Sequence, residues 1–473
     1  MGIEIRRPAE AELRAAMEAA ENAFGGTVDD DEWARESQSL PVSRTLAAYD
    51  GGRPVALAGA YQFDLTIPGG QIPCAGVTWV GVLPSHRRRG ILRDLMRRQL
   101  DDVRSWGEPI AALWASESLI YGRFGYGLAV PAVSMKADRS RFALRSDSGP
   151  EGSVRLVTAD EAFELFPPVY ERIRAARAGM LTRSEHWWKQ HRLADPESWR
   201  RGSSHKFYAA LQLDGGCEGY ALYRVKSEWE DGMSRGEVQV VEAFATSARA
   251  ERELWRFLFG IDLTIRVDSH YLDPATSLLL NVDDPRALGL RLTDGVLSGC
   301  VLSWWNSRGR TRLVRSRSGR LTRSLRHSSS ACCFCSGFRC SLPPPNRRSH
   351  PTLPPSRPAP ASGAQRSWCR FVDLDAALRA RSYGSAEPLV LEVSDAFCPW
   401  NAGRYRVGEG AGRTEDDPDL TLDVADLATA YLGGFDVNRL VHAGRAVELQ
   451  DGAAEAATLL FRTELPPYCP EEF

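Results

Sequence analysis

WVGVLPSHRRRGILRDLMRRQL, from Trp79 to Leu100, sets a strand, a turn with three arginines and a glycine, and a helix in direct succession. The strand reading rests on the mostly apolar run Val77–Val82, which Pro84 ends. The helix reading rests on Ile91, Leu92, Leu95, Met96, Leu100 and Val103, spaced to line one helical face. Cations at a helix start are electrostatically misplaced, because the first N–H groups lack partners and already carry partial positive charge. An anion held there resolves the conflict. Helix N–H groups and arginine forks converge on it, and Gly90 lets the backbone come close. The strand before the turn can offer edge N–H and C=O groups to an extended ligand. The stretch therefore predicts a pyrophosphate site with an extended arm along a strand. The alternative is an ordinary solvated basic turn.

The surroundings predict a compact α+β domain. Leu13, Met17, Ala20 and Phe24 share a helical face over 9–24. Arg44–Tyr49 and Pro54–Leu65 read as a hairpin around the turn Asp50-Gly51-Gly52. PIAALWASES is a buried strand, and LIYGRFGYGLA a helical turn followed by a glycine-rich loop. At 473 residues the chain exceeds one core and divides into about three domains. A net charge of −2 gives no global attraction to nucleic acid or membrane, so neither is an expected partner. The first residues carry acids and no long apolar run, so no signal peptide or membrane span is expected, and the expected compartment is the cytoplasm.

A second unit starts near Val154 and repeats the theme. Aligning FATSARAERELWRFL with VLPSHRRRGILRDLM places Ser247 on Ser85 and Arg249 on Arg87. Glu251 then replaces Arg89 and Arg252 replaces Gly90, so a carboxylate and a bulky side chain occupy the anion's place. The second unit reads as a degenerate copy. A third begins at FVDLDAALRARSY, with a meander over AEPLVLEVSDAFCPWNAGRYRVGEG and a strand then a helix in DPDLTLDVADLATAYLGG. Between the second and third lies a foreign stretch. From Gly295 to Val372 there is no Asp, Glu or Lys, and Arg, Ser, Pro and Cys dominate. This composition predicts disorder and is what GC-rich DNA yields through an insertion or a wrong frame. It holds six of the ten cysteines (Cys300, Cys332, Cys333, Cys335, Cys340 and Cys369), with spacings that match neither a disulfide framework nor a metal site. No metal is expected.

The pattern Val80-x-Val82-x-Pro84-x-x-Arg87-Arg88-x-Gly90-Ile91-Leu92 resembles the acetyl-CoA signature of the GCN5-related N-acetyltransferase (GNAT) superfamily, departing from it at Leu92, where the family has a small residue. SHRRRG followed by ASES-L-IYGRFGYG is similar to the enhanced intracellular survival (Eis) family. That resemblance implies an α+β chain of tandem GNAT domains, the second degenerate, followed by a sterol-carrier-like domain. The implied division is 1–150 catalytic, 151–296 degenerate, 297–367 insertion and 368–473 sterol-carrier-like. LTDG (Leu292–Gly295) and WCRFVDLDAAL (Trp368–Leu378) are close together in the family and split here, which supports an insertion.

The resemblance implies acetyl-CoA-dependent N-acetylation of primary amines by direct transfer. Acceptors would be aminoglycosides, polyamines or lysine side chains, and the assembly a homohexamer. Val80 and Val82 would line the pantetheine arm, Arg87, Arg88, Gly90 and Ile91 the pyrophosphate, and Ser116 another part of the coenzyme. Tyr121 would be the general acid, its alternative being a core tyrosine; Tyr126 would be structural. The carboxylate of Phe473 would be the base, its alternative being a frayed tail. Trp33 and Trp79 would wall the acceptor pocket. Asp29, Asp30 and Asp31, near Trp33 and Glu36, suit a cationic acceptor or simply an acidic helix start. A rival function is a non-catalytic protein that binds lipid or senses acyl-CoA.

Overall fold

The computed structural model describes residues 2–145, 152–293, 367–384 and 387–473. The expected insertion, apart from Ser367, lies outside the described residues.

The first part runs β1 (Glu4–Arg6), α1 (Glu10–Phe24), α2 (Asp30–Ser39), β2 (Thr45–Asp50), β3 (Arg53–Ile67), β4 (Gly70–Val82), α3 (Ile91–Ser105), β5 (Ile110–Trp114), α4 (Ser118–Tyr121), β6 (Gly127–Val130) and β7 (Ala132–Asp138). The second runs β8 (Ser153–Val157), α5 (Ala159–Ala175), α6 (Glu185–Trp187), β9 (Phe207–Leu213), β10 (Gly216–Lys226), a short ribbon of β11 (Trp229–Glu230) and β12 (Met233–Ser234), then β13 (Gly236–Ala245), α7 (Ala248–Phe259), β14 (Thr264–Leu272) and β15 (Arg291–Thr293). The predicted hairpin and the helix of the opening stretch are present. Along α3, Ile91, Leu95, Met96, Leu100 and Val103 are buried, as the spacing requires.

Two seven-stranded sheets carry these parts, in the orders β1-β2-β3-β4-β5-β16-β6 and β15-β7-β14-β13-β10-β9-β8, where β16 is Ser367–Phe371. The sheets exchange strands. β7 leaves the first part to pair antiparallel with β14 and β15. β16 enters the first sheet from far along the chain and pairs antiparallel with both β5 and β6. The parts are therefore not beads on a string, because each sheet is completed by backbone from a neighbour.

The third part is a five-stranded sheet with spatial order Gly412–Arg413, Gly403–Val407, Leu389–Ser394, Leu420–Asp423, Ala446–Glu448. The helix Val424–Tyr431 follows Leu420–Asp423 directly, as predicted, and packs against β6 and β16. This contact explains a glycine of the IYGRFGYG loop. A Cβ on Gly127 would stand 1.9 Å from the carbonyl oxygen of Ala425, so a side chain there would push the helix off the sheet.

Candidate active site

Strand β4 builds the site by leaving its neighbour. It pairs in parallel with β5 only from Cys74 to Val77, whereas it stays paired with β3 up to Val82. From Thr78 onward the edge of β4 that faced β5 has no strand partner. The register against β3 steps from Gly59↔Thr78 to Leu57↔Gly81, so Trp79 and Val80 bulge opposite Ala58. Trp79 sits at φ 54°, an unusual value for a bulky residue. Val80 and Leu92 pack, partly buried, against the cluster that holds Tyr121, Val77, Leu113 and Ala115.

The turn after β4 ends in an open helix start. Gly90 is the residue before α3, with φ 86°, and no side chain caps the helix. A Cβ there would approach nothing nearer than Asp94 Oδ2 at 3.9 Å. Conformation, not space in the empty turn, demands glycine. Arg88, at φ 63°, also adopts the left-handed region. Arg87 reaches back to the carbonyls of Val82 (3.4 Å) and Ala23 (2.9 Å). Arg89 pairs with Asp50 at 3.4 Å, and His86 shares that carboxylate at 3.2 Å. Ile91 turns its side chain into the core with Leu46, Val55 and Leu95, beside Val82. It can therefore serve an anion only through its backbone N–H. Ser116 is exposed, two residues past β5.

Tyr121 ends α4 and is 5% exposed. Burial, with the Glu117 carboxylate adding to it, pushes its phenol up to about 12. Tyr121 therefore holds its proton across the neutral range. Tyr126, edge-on to Tyr121 with ring centroids 5.9 Å apart, is fully buried.

On the other side of β4 lies an aromatic chamber. Tyr61 and Phe63 alternate along β3, as period two requires. Phe473 packs on both, at 6.3 and 5.3 Å between ring centroids, and lies so close over Gly76 of β4 that a Cβ there would sit 3.2 Å from its ring. Trp187 completes the wall, 5.0 Å from Phe63 and 5.2 Å from Tyr61. Trp33 and Trp79 pack together on the cluster formed by α1 and β3. A carboxyl group enters this setting from α2: Glu36 accepts from Tyr61 Oη at 2.5 Å and from Trp79 Nε1 at 3.3 Å. Burial raises its pKa, with those two donors opposing the rise. His191 stands 3.9 Å from Glu36 and stacks on Trp187 at 4.0 Å. Burial, then His186 and nearby arginines, lower it to about 3, so it is a neutral imidazole.

The structure thus gathers Val80, Leu92 and Tyr121 on one side of β4, and Trp33, Trp79 and Phe473 on the other. The aspartates take the plainer of their two readings. Asp29 caps α2 by accepting from the Glu32 N–H at 2.7 Å, and Asp30 pairs with Arg14 at 2.6 Å. Glu36, one helical turn beyond Glu32, is the buried acid. Tyr61, Phe63, Trp187 and His191 escaped the sequence reading. The alternation AYQFDL could have flagged the first two, but nothing local links them to residues over a hundred positions away. Among the described residues no group of three or more His, Cys, Asp or Glu is placed to hold a metal.

Comparison with known proteins settles the kinship. Acetyltransferase (GNAT) domain models match residues 4–129 and 179–297, and a sterol carrier protein domain model matches 374–470. The N-acetyltransferase Eis of Mycobacterium tuberculosis is 34% identical over 92% of this chain and 90% of its own. The chain belongs to the Eis family of N-acetyltransferases. An N-acetyltransferase of Streptomyces avermitilis is 35% identical over 95% of both chains. The crystal structure of Eis1 from Mycobacterium abscessus aligns over 100% of both chains with a TM-score of 0.74 and 28% identity. A GCN5-related N-acetyltransferase from Anabaena variabilis shares the fold at TM-score 0.73 and 16% identity. The protein is an enzyme of the acyltransferase class, built as two GNAT domains followed by a sterol-carrier-like domain, and acetyl-CoA is the donor that its fold implies. The bulged, splayed β4 and the uncapped start of α3 fit such a donor: an open strand edge for its arm and partnerless N–H groups for its pyrophosphate. Among the described residues no helix is long and apolar enough to cross a membrane.

Proposed function

We propose that this Eis-family enzyme acetylates primary amines by direct attack within a ternary complex, with aminoglycosides, polyamines or lysine side chains as acceptors. The observation that carries this reading is the arrangement around β4: Tyr121 beside the bulge on one side, and Phe473 over Gly76 on the other. A donor and an acceptor would meet through the gap that β4 opens beside β5. Acetyl-CoA supplies an acyl thioester whose carbonyl carbon an amine can attack.

The chain's own groups have these roles. Arg87, Arg88, Gly90 and the Ile91 N–H receive the pyrophosphate, and Ser116 touches the coenzyme beyond β5. The backbone of Val80 and Val82 aligns the arm, and the Val80 N–H polarises the thioester oxygen. Tyr121 Oη gives its proton to the departing sulfur. The Phe473 carboxylate takes a proton from the acceptor ammonium, which is mostly charged at neutral pH and cannot attack until it loses one. Trp33 and Trp79 wall the acceptor, and an aromatic chamber with Glu36 at its edge suits a cation. The proposed assembly is a homohexamer, by family resemblance, and the proposed compartment is the cytoplasm.

The stretch 297–366 is an insertion between β15 and β16. Each flanking strand is already committed to a different sheet, and Ser367 opens β16 by pairing with Trp114. Deleting 297–366 and bridging the ends with a short flexible linker is expected to leave coenzyme affinity unchanged in calorimetry. Loss of folded protein would make the segment structural.

The function is tested by mass spectrometry of an aminoglycoside, a polyamine and a lysine peptide, each incubated with acetyl-CoA and enzyme. Addition of acetyl groups to at least one is expected. If none gains mass and none stimulates thiol release, while a fluorescent lipid binds, the chain is a carrier and the enzyme reading falls.

A further inference from the structure

The last eight residues are held by the second GNAT domain. Arg177 Nε donates to the Pro466 carbonyl at 2.7 Å, and the Tyr468 N–H to Ala178 at 2.9 Å. Tyr468 Oη donates to the Tyr271 carbonyl at 2.8 Å, and Tyr271 Oη to Glu472 at 3.0 Å. The central contact is Glu471, which is 0% exposed. It accepts from Arg183 Nε at 2.5 Å, from Trp187 Nε1 at 2.9 Å and from Tyr170 Oη at 3.3 Å. The other end of the Arg183 guanidinium forks onto Glu242 at 2.9 and 2.6 Å. Arg192 also bonds Glu242, and Tyr220 Oη donates to it at 2.6 Å. Two arginines thus face two carboxylates, and the buried group is neutral overall.

Glu242 has a telling place. The alignment that puts Ser247 on Ser85 puts Glu242 on Val80 when continued backward. The structure agrees, because β13 has its own irregularity: Leu222↔Glu242 is followed by Tyr223↔Val240, leaving Val241 as the extra residue. β13 likewise pairs in parallel with β14 only up to Val240. The degenerate half has kept the bulge and the splay. At the position where the first half has Val80 beside Tyr121, it has a carboxylate that holds Arg183. Burial opposes ionisation of Glu242, yet Arg183 and Arg192 hold it down at about 2, so it stays charged.

We infer that the degenerate domain has turned its former acyl-transfer position into a clamp for the chain's own tail, with Arg183 and Glu471 as positioning residues for the Phe473 carboxylate. Only two residues follow Glu471, a reach of about 7 Å at full extension, so the clamp fixes where that carboxylate can lie. The catalytic part of the inference rests on Phe473 acting as the base; the clamp itself does not.

The test uses the full-length enzyme and its variants E471A, E471Q and W187F, with three readouts. These are release of Phe473 by carboxypeptidase, kcat and KM for an accepted amine, and acetyl-CoA affinity by calorimetry. E471A is expected to release Phe473 at least tenfold faster than the unmodified enzyme and to lower kcat at least tenfold, with acetyl-CoA affinity unchanged. E471Q, which keeps an oxygen acceptor, should fall between. W187F removes one donor, fills nearly the same space and serves if E471A does not fold; it should raise release severalfold. Release as slow as in the unmodified enzyme in every variant would overturn the clamp. Fast release with kcat unchanged would instead remove Phe473 from the mechanism, leaving the clamp as a structural device.

Discussion

Helices α3 and α7 follow equivalent bulged strands in the two GNAT domains, yet their starts have opposite characters. At α3 no side chain caps the helix and Gly90 bends left-handed. At α7 the Ser247 side chain accepts from the Ala250 N–H at 3.2 Å. Glu251, in the first turn of α7, accepts from the Ser277 N–H at 2.9 Å, the Ser277 hydroxyl at 2.5 Å and the Thr276 hydroxyl at 2.5 Å. The residue in Gly90's place before the helix is Ser247, and Arg252, which the sequence alignment set on Gly90, instead lies inside α7, buried, donating to the Arg145 carbonyl at 2.9 Å. One helix start leaves its donors for a ligand; the other satisfies them internally. The bulged strand is common to both, but the turn is not: residues 83–90 separate β4 from α3, whereas only Thr246 and Ser247 separate β13 from α7. The cations that open α3 are also not equal. Arg89 is committed to Asp50, whereas no hydrogen bond or ion pair of Arg88 with another side chain is described, and Arg87 is tied only to two backbone carbonyls.

The largest expected effect comes from blocking the open start of α3. The double variant R89E/G90R places a carboxylate and a bulky residue at the open start. A side chain at φ 86° costs about 1–2 kcal/mol, and repelling a pyrophosphate forfeits charge-assisted bonds of ~1.5–3 kcal/mol each. A loss of about 3 kcal/mol corresponds to roughly 100-fold weaker acetyl-CoA binding. Calorimetry on folded protein checks it. Affinity within threefold of the unmodified enzyme would show that the donor's phosphates lie elsewhere.

Next in size is Tyr121→Phe, which tests the chemistry beside the bulge and leaves the anion cradle alone. Removing a general acid should lower turnover by about 100-fold or more, with acetyl-CoA affinity preserved. Because the phenol is held up to about 12, its deprotonation cannot produce a basic limb of the rate profile below about pH 11. A limb in the unmodified enzyme between pH 8 and 10 that vanished in Y121F would contradict this assignment. Unchanged turnover would make Tyr121 a core residue.

Much of the first domain was legible because its signals are local. The α3 periodicity, the Asp50-Gly51-Gly52 turn and the RRRG start each lie within a short window, and the second copy was visible in FATSARAERELW, although the alignment missed the shorter turn there and set Glu251 and Arg252, which lie inside α7, on Arg89 and Gly90. Three features were not legible, for one shared reason. The insertion of β16 between β5 and β6, the Gly127–Ala425 contact and the burial of Glu471 against Arg183 all join residues hundreds of positions apart. Glu471 reads in sequence as one acid of a polar tail, since pattern reasoning presumes that a glutamate near a terminus is solvated. Only the facing guanidinium, supplied by another domain, reverses that presumption. The burial of Glu36 has a similar origin: its helix looks acidic throughout, but its donors come from Tyr61 and Trp79 on two strands.

The smallest expected effect tests the other side of the comparison. Glu251→Ala removes the carboxylate that fills the α7 start and leaves Ser247 as the cap. Thr276 and Ser277 lose a shared acceptor, and because these contacts are only partly buried, the loss of stability should be about 1–2 kcal/mol. Denaturant unfolding measures it. Acetyl-CoA should still bind with one molecule per chain, because Ser247 still caps the helix and the position equivalent to Val80 holds Glu242. Opening the helix start cannot by itself restore an acyl site whose gap is occupied by charge. A stoichiometry rising from one to two would show instead that Glu251 alone closes a latent second site, and that the two halves differ by one plug and not by the whole turn.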